Sequence, residues 1–111
     1  MDYKKLEIEI NMLHQRICQA LADPTRILIL YRLQEKPMCV NELVQSMQLP
    51  QSTISRHLGV LRDKNLVKTE RDGATVTYIL AEPRMIQVLD IMRSIVVSQL
   101  ADSAEIARSI E

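Results

Sequence analysis

One stretch constrains the fold of this chain more than any other: residues 51–62, with the sequence QSTISRHLGVLR. Ile54, Leu58 and Leu61 recur at the spacing of a single helical face, so we expect that face to be buried. The first turns carry amide, hydroxyl, guanidinium and imidazole groups, which are the groups that read base edges and phosphates in DNA. These groups belong to Gln51, Ser52, Thr53, Ser55, Arg56 and His57. The stretch is therefore predicted to be a recognition helix that contacts double-stranded DNA.

The residues before this helix predict a helix-turn-helix. Asn41 is a residue type that caps helices, and residues 42–47 carry apolar side chains at the spacing of a short helix. Gln48-Leu49-Pro50 then forms a tight connection to the recognition helix. A short helix, a turn and a polar-fronted helix together make the motif, which we place at residues 40–64.

After the recognition helix the sequence predicts a two-stranded wing over residues 65–80. Two segments rich in β-branched residues flank Asp72-Gly73, the strongest hairpin signal in the chain. Lys68 and Arg71 are expected at the tip of this wing, where they would reach phosphates or a minor groove.

A second helix is predicted from Pro24 to about residue 34, and its two-sided apolar pattern makes it central to the core. Asp23 is expected to cap it, and Pro24 fits its first turn. Arg26 follows Pro24-Thr25 in the same turn. Three roles are open for it: contact with a phosphate, or an ion pair with Asp23 or with Glu42.

Helices are also predicted at both ends of the sequence. Residues 3–22 carry apolar side chains at spacings of three and four, which predicts one buried face. Residues 83–103 are apolar over more than one stripe, so this helix should leave apolar surface uncovered after packing on its own domain. We therefore expect residues 1–22 and 83–108 to be dimerisation helices that join two copies of the chain.

Composition fits one soluble domain spanning residues 1–111, with 47% hydrophobic and 25% charged residues. Trp and Phe are absent, so Leu, Ile, Val and Met must build the core, which suits a mainly helical fold with a small β-hairpin. The formal net charge of zero argues against a simple basic DNA binder, but it is unevenly spread. Residues 51–80 hold five Lys and Arg against three acids (+2), whereas residues 81–111 hold three against five (−2).

Three motifs together resemble the ArsR/SmtB family of winged-helix transcriptional repressors. They are ALADPTRILIL at residues 20–30, QSTISRHL at residues 51–58, and the wing with Gly73 that ends in Tyr78. The resemblance implies a homodimer that binds an operator palindrome and releases it when a small inducer binds. It also implies that residues 51–53 and 55–57 contact DNA, together with Arg71 and its wing neighbours Lys68, Gly73 and Thr75. Many members have Ser immediately before the residue that matches Gln51, whereas this chain has Pro50 there.

The metal sites of the family are not carried over. Metal-sensing members often have a Leu-Cys-Val-Cys-Asp-Leu box before the recognition helix, and the matching run here is MCVNEL at residues 38–43, with one thiol instead of two. A second family site starts with an acid on the last helix. If Asp90 is that acid, the other ligand positions of the site are occupied by Met92, Ser103 and Ile106. None of these is a competent zinc ligand. We therefore predict no metal site and no cofactor.

Two cysteines remain as candidate inducer-sensing residues. Some family members use a first-helix thiol and a box thiol of the other subunit to bind arsenite-like species or to form a disulfide or polysulfide bridge. Cys39 lies near a predicted helix start, where backbone N–H groups stabilise a thiolate. Cys18 lies on the inner side of its helix and is either a reactive thiol or a small buried hydrophobe.

The sequence thus predicts a dimeric winged helix-turn-helix repressor whose inducer acts through thiols by redox, persulfide or arsenite-like chemistry. Two alternatives stay open: a winged-helix module for protein-protein assembly, and a metal sensor with a non-standard site. No Gly-rich phosphate loop or nucleophile-base pair is present in the sequence, so an enzyme is not expected. The charged start of the sequence predicts neither a signal peptide nor a membrane anchor, and hence a cytoplasmic protein.

Overall fold

The structure is a computed structural model that describes residues 1–110. Glu111, which the single-domain prediction includes, lies outside the described residues. The elements, in chain order, are α1 (Tyr3–Leu13), a π-helical segment (His14–Cys18), α2 (Pro24–Glu35), β1 (Met38–Cys39), α3 (Val40–Met47), α4 (Gln51–Asp63), β2 (Val67–Asp72), β3 (Thr75–Leu80) and α5 (Arg84–Ile110).

The core lies where α2, α3 and α4 meet the sheet and the first turns of α5. As composition predicts, it consists of aliphatic side chains and Met. Its members are Ala20, Ile29, Leu30, Leu33, Met38, Leu43, Ile54, Leu58, Leu61, Leu66, Val67, Met85, Ile86 and Leu89. The start of α2 is fixed as expected: the Asp23 carboxylate accepts a hydrogen bond of 2.8 Å from the backbone N–H of Thr25. This bond holds the pKa of Asp23 below its ordinary value.

The helix-turn-helix is formed by α3, a three-residue turn and α4. The first helix of the motif begins earlier than expected, because Cys39 and not Asn41 is its N-cap. At its end Gln48 adopts a left-handed conformation with φ of 55°, and its side chain donates to the Gln45 carbonyl at 2.7 Å. Pro50 precedes α4 without a side-chain cap, so the recognition helix starts from backbone geometry alone.

The hairpin of β2 and β3 is closed by Gly73 and Ala74, because Asp72 pairs with Thr75. Only Gly73, with φ of 61°, is left-handed in this two-residue loop, as in a type II′ turn. The prediction of a two-stranded wing was incomplete: β1 adds a third strand, with Met38 opposite Tyr78. A strand of two residues is too short to show an alternating pattern in the sequence. The start of α3 is thereby joined directly to the wing.

The first predicted helix, residues 3–22, is shorter and less regular than expected. Its α-helical part ends at Leu13, and the segment that follows is π-helical, with the Gln19 N–H bonded to the His14 carbonyl at 3.1 Å. The expected buried face is not buried within one chain. No residue of α1 is buried, and Ile10 and Leu13 are 51% and 47% exposed.

The last helix, α5, is longer than the predicted span and continues to Ile110. Its first turns pack on the core through Met85, Ile86 and Leu89. A polar contact also fixes it to α2, because the Tyr31 hydroxyl donates to the Asp90 carboxylate at 2.6 Å. Eight other large apolar side chains of this helix are exposed, as the apolar residues on more than one of its faces predict. They are Val88, Ile91, Met92, Ile95, Val96, Val97, Leu100 and Ile106.

Among residues 1–110, no helix combines the length and the apolar character needed to cross a membrane.

Candidate nucleic-acid interface

The recognition helix α4 has one buried face and one polar face. Ile54, Leu58 and Leu61 are fully buried, which confirms the predicted inner face. On the outer side Gln51, Ser52, Ser55 and Arg56 are exposed, and Thr53 is half-buried. Since the inner face is anchored in the core, the helix presents these polar side chains as one rigid surface.

His57 does not belong to that surface, and the expectation that it contacts DNA is wrong for this structure. Its side chain is only 3% exposed. Burial also lowers its pKa below the ordinary value, so the ring is neutral at pH 7. The signal was present in the sequence, because position 57 lies three residues after Ile54 and four before Leu61, on the apolar face.

Arg26 is the partner of His57, at 3.2 Å between Nη1 and Nδ1. The same guanidinium donates through Nε to the Ala20 carbonyl at 2.6 Å and through Nη2 to the Gln19 carbonyl at 3.1 Å. The sequence suggested a phosphate, Asp23 or Glu42 as partners for Arg26. Its side chain instead bridges the end of the first helix and the recognition helix.

The wing supplies a second group of exposed residues: Lys68, Arg71, Gly73 and Thr75. Arg71 lies next to the turn, as predicted, but Lys68 pairs with Ile79 near the base of the hairpin. Successive strand residues point to opposite faces, so Lys68 and Arg71 also project from opposite faces of β2. The two cations therefore lie on opposite faces of the wing, Arg71 near its tip and Lys68 near its base.

Cys39 is half-buried at the N-terminal end of α3. Its backbone N–H donates to Glu42 at 3.1 Å, and this bond keeps the pKa of the Glu42 carboxyl below its ordinary value. The residue borders a shallow groove of about 270 Å³, whose other wall is the wing segment 74–76. Cys39 therefore lies between the helix-turn-helix and the wing.

Cys18 is exposed within one chain, so the structure does not bury it as a small hydrophobe. It is the last residue of the π-helical segment. It lines an open apolar groove of about 370 Å³ between the end of the first helix, α2 and α5, together with Leu21, Ile27, Leu89, Met92, Arg93 and Val96. No group of three or more His, Cys, Asp or Glu side chains suited to a metal ion occurs in the part of the chain that the structure describes.

A helix with a buried apolar face and an exposed polar face, preceded by a short helix and followed by a β-hairpin, defines a winged helix-turn-helix protein. The same fold occurs in the homodimeric winged helix-turn-helix DNA-binding domain of Mb0332 from Mycobacterium bovis, with a TM-score of 0.71. The two chains are 22% identical and each is covered to 90%, so this likeness shows the fold alone.

Closer relatives identify the family. The family model described as bacterial regulatory protein, arsR family, matches residues 23–69. The transcriptional regulator Rv0081 of Mycobacterium tuberculosis is 34% identical over 93 residues, covering 83% of this chain and 82% of that protein. The crystal structure of Rv0081 covers 94% of this chain and 98% of its own, with 32% identity and a TM-score of 0.72. The chain belongs to the arsR family, and the resemblance drawn from its motifs is confirmed.

The transcriptional repressor SmtB of Mycobacterium tuberculosis is 38% identical over 73 residues, which make up 66% of this chain. They make up 54% of SmtB, so the match spans about half the length of that relative. These relatives are named as transcriptional regulators, which is the class of protein expected from the sequence.

Proposed function

We propose that the protein is a homodimeric repressor that binds an operator palindrome in double-stranded DNA and leaves it when a small inducer binds. The observation that carries this proposal is the polar face of α4, held by a fully buried apolar face in a helix-turn-helix. Membership of the arsR family and the likeness to the repressor SmtB support it.

The proposed contacts divide between α4 and the wing. The amide, hydroxyl and guanidinium groups of α4 would read bases or phosphates in a major groove. They belong to Gln51, Ser52, Thr53, Ser55 and Arg56. Lys68 and Arg71 would bind phosphates, while Gly73 and Thr75 would bring the wing backbone close to the DNA.

A second copy of the chain is the proposed partner of the terminal helices. Val88, Ile91 and Ile95 are between 45% and 62% exposed and follow one another at spacings of three and four on α5. They lie on a different face of the helix from Met85 and Leu89, which pack on the core. An exposed apolar surface of this kind on two helices suits an isologous interface in which each copy covers the other.

Cys39 is the proposed sensing thiol, with Cys18 as its candidate partner. Chemistry at Cys39 would disturb two DNA-facing elements together, because this residue caps α3 and pairs with Thr77 of β3. Oxidation to a disulfide with a second thiol releases two protons and two electrons to the oxidant, and arsenite would instead bridge thiolates. Each reaction would favour a dimer geometry that binds DNA weakly.

Fluorescence anisotropy with DNA from upstream of the protein's own gene tests the DNA-binding proposal. A duplex of the same base composition in scrambled order is the control. If Lys68 and Arg71 of both copies neutralise four phosphates, the slope of log K against log salt is about −4. Equal binding to the two duplexes with no steep salt dependence would instead favour a protein-protein assembly module.

The sensing proposal is tested by adding diamide, a persulfide donor or arsenite to the protein bound to DNA. Wild-type protein is expected to release the DNA, and Cys39→Ser protein to keep it. Cys18→Ser is the matched variant, and it shows whether the second thiol takes part. Release that is unchanged in Cys39→Ser would refute the role of this thiol. Release by zinc or nickel alone would support the non-standard metal site.

A further inference from the structure

Arg26 connects two parts of the fold that have no other described polar bridge between them. The guanidinium contacts the Gln19 and Ala20 carbonyls at 3.1 and 2.6 Å and the His57 ring at 3.2 Å. The planar guanidinium holds its donors in a fixed fork, so these partners keep a set geometry relative to one another. The first helix and the recognition helix are thus joined through one side chain.

On one side of this bridge lies the end of the first helix. Gln19 and Ala20 follow the π-helical segment directly, and Ala20 is fully buried. Carbonyls at the end of a helix lack partners within the helix and carry partial negative charge, so a cation is favoured there. Arg26 donates to both carbonyls, of which that of Gln19 also accepts from the Ala22 N–H at 3.3 Å, and holds this end against α2.

On the other side lies the inner face of α4. An arginine can only donate hydrogen bonds, so Nδ1 of His57 must be the acceptor and the ring proton must lie on Nε2. The lowered pKa of His57 agrees with a neutral ring. The charged groups that act on this ring are Asp23, Arg26 and Arg56. His57 is the next residue after Arg56, whose side chain lies on the exposed face of the same helix.

We propose that Arg26 is a positioning residue that couples the first helix to the recognition helix through His57. A displacement of the first helix, as on a change of dimer geometry, moves the Gln19 and Ala20 carbonyls, and Arg26 passes that displacement to α4. This role rests on the proposed function, in which α4 contacts DNA. It differs from a direct phosphate contact, because all three described partners of the guanidinium are protein groups.

The test measures DNA affinity of the full-length chain for the upstream duplex with Arg26→Lys, His57→Leu and the double variant. Each single substitution is expected to lower the affinity about tenfold, the effect of losing one charged hydrogen bond. The double variant should be no weaker than either single one, because both remove the same link. Arg32→Lys on the same helix is the matched control, since Arg32 makes no side-chain hydrogen bond within residues 1–110.

Two further measurements separate coupling from simple stabilisation. In Arg26→Gln, which removes the charge, the salt slope should stay unchanged, whereas a lost phosphate contact would reduce its magnitude by about one for each copy. Hydrogen exchange gives the second readout. DNA binding should slow the exchange of amides 19–22 in wild-type protein and leave them unaffected in Arg26→Lys, because coupling is reciprocal.

Three results would each overturn the coupling role. The first is wild-type affinity in both single variants, and the second is additive losses in the double variant. The third is equal slowing of exchange in wild-type and Arg26→Lys protein. If Arg26→Lys fails to fold, the affinity and the exchange pattern of His57→Leu decide the question in the same way. Failure of the proposed function is recognised separately, because the wild-type protein itself would then show no preference for the upstream duplex.

Discussion

Ile95 offers a direct test of the proposed dimer surface. It is 51% exposed in the single chain. Full burial of an isoleucine side chain is worth about 1.5–3 kcal/mol, so covering the exposed half contributes about 1 kcal/mol. An isologous interface contains the residue twice, so Ile95→Ala should weaken the dimer by about 2 kcal/mol, or roughly thirtyfold in the dissociation constant.

Sedimentation equilibrium over a range of protein concentrations measures this constant. Gln87→Ala, at an exposed polar position of the same helix, is the control and should leave the constant unchanged. Alanine forms helices better than isoleucine does, so a weaker dimer cannot be explained by loss of helix in the variant. An unchanged dissociation constant in Ile95→Ala, or a wild-type protein that stays monomeric at micromolar concentration, would refute the assignment of this surface.

Two further predictions concern α4. Arg56→Ala should weaken binding to the upstream duplex by about 1–3 kcal/mol if the guanidinium reads a guanine, and unchanged anisotropy would remove Arg56 from the proposed contacts. His57 should make the free energy of unfolding depend on pH: burial lowers its pKa in the folded state, so the unfolded chain takes up a proton first as the pH falls below 6.5. Its stabilising contribution is complete above that pH and is lost on acidification, which urea unfolding at pH 7.5, 6.5 and 5.5 measures. The decrease should be smaller in His57→Gln, and an equal decrease in both proteins would assign it to other groups.

The elements with strong local patterns could be predicted from the sequence. The recognition helix was expected at residues 51–62 and is observed at Gln51–Asp63. Its apolar residues recur at the helical spacing, and Pro50 immediately precedes its first residue. The hairpin likewise follows from Gly73, whose left-handed φ closes the turn between two β-branched segments.

Features that depend on tertiary contacts could not be predicted in the same way. The pairing of β1 with β3 joins residues far apart in the chain and leaves no periodic pattern in a segment as short as Met38–Cys39. Cys18 faces the apolar groove beside Leu21, as its position on the inner side of the helix predicts, but the groove is open within one chain and the thiol is exposed. The polar chemistry of His57 and Arg26 suggests contacts with DNA or ion pairs, whereas in the fold His57 is buried and Arg26 is half-buried. Only the fold shows that they face each other.

The first helix has a consequence for how much of the protein is active in a cell. An isolated helix of fewer than about 12–15 residues is only marginally stable in water, and α1 has 11 residues, none of them buried within one chain. In the proposed dimer, association would supply further order to this segment and would link its folding to the amount of protein present. Below a threshold abundance, newly made chains would carry a frayed first helix, exposed to proteases. If the protein is the proposed repressor, repression would then rise more steeply than in proportion to synthesis.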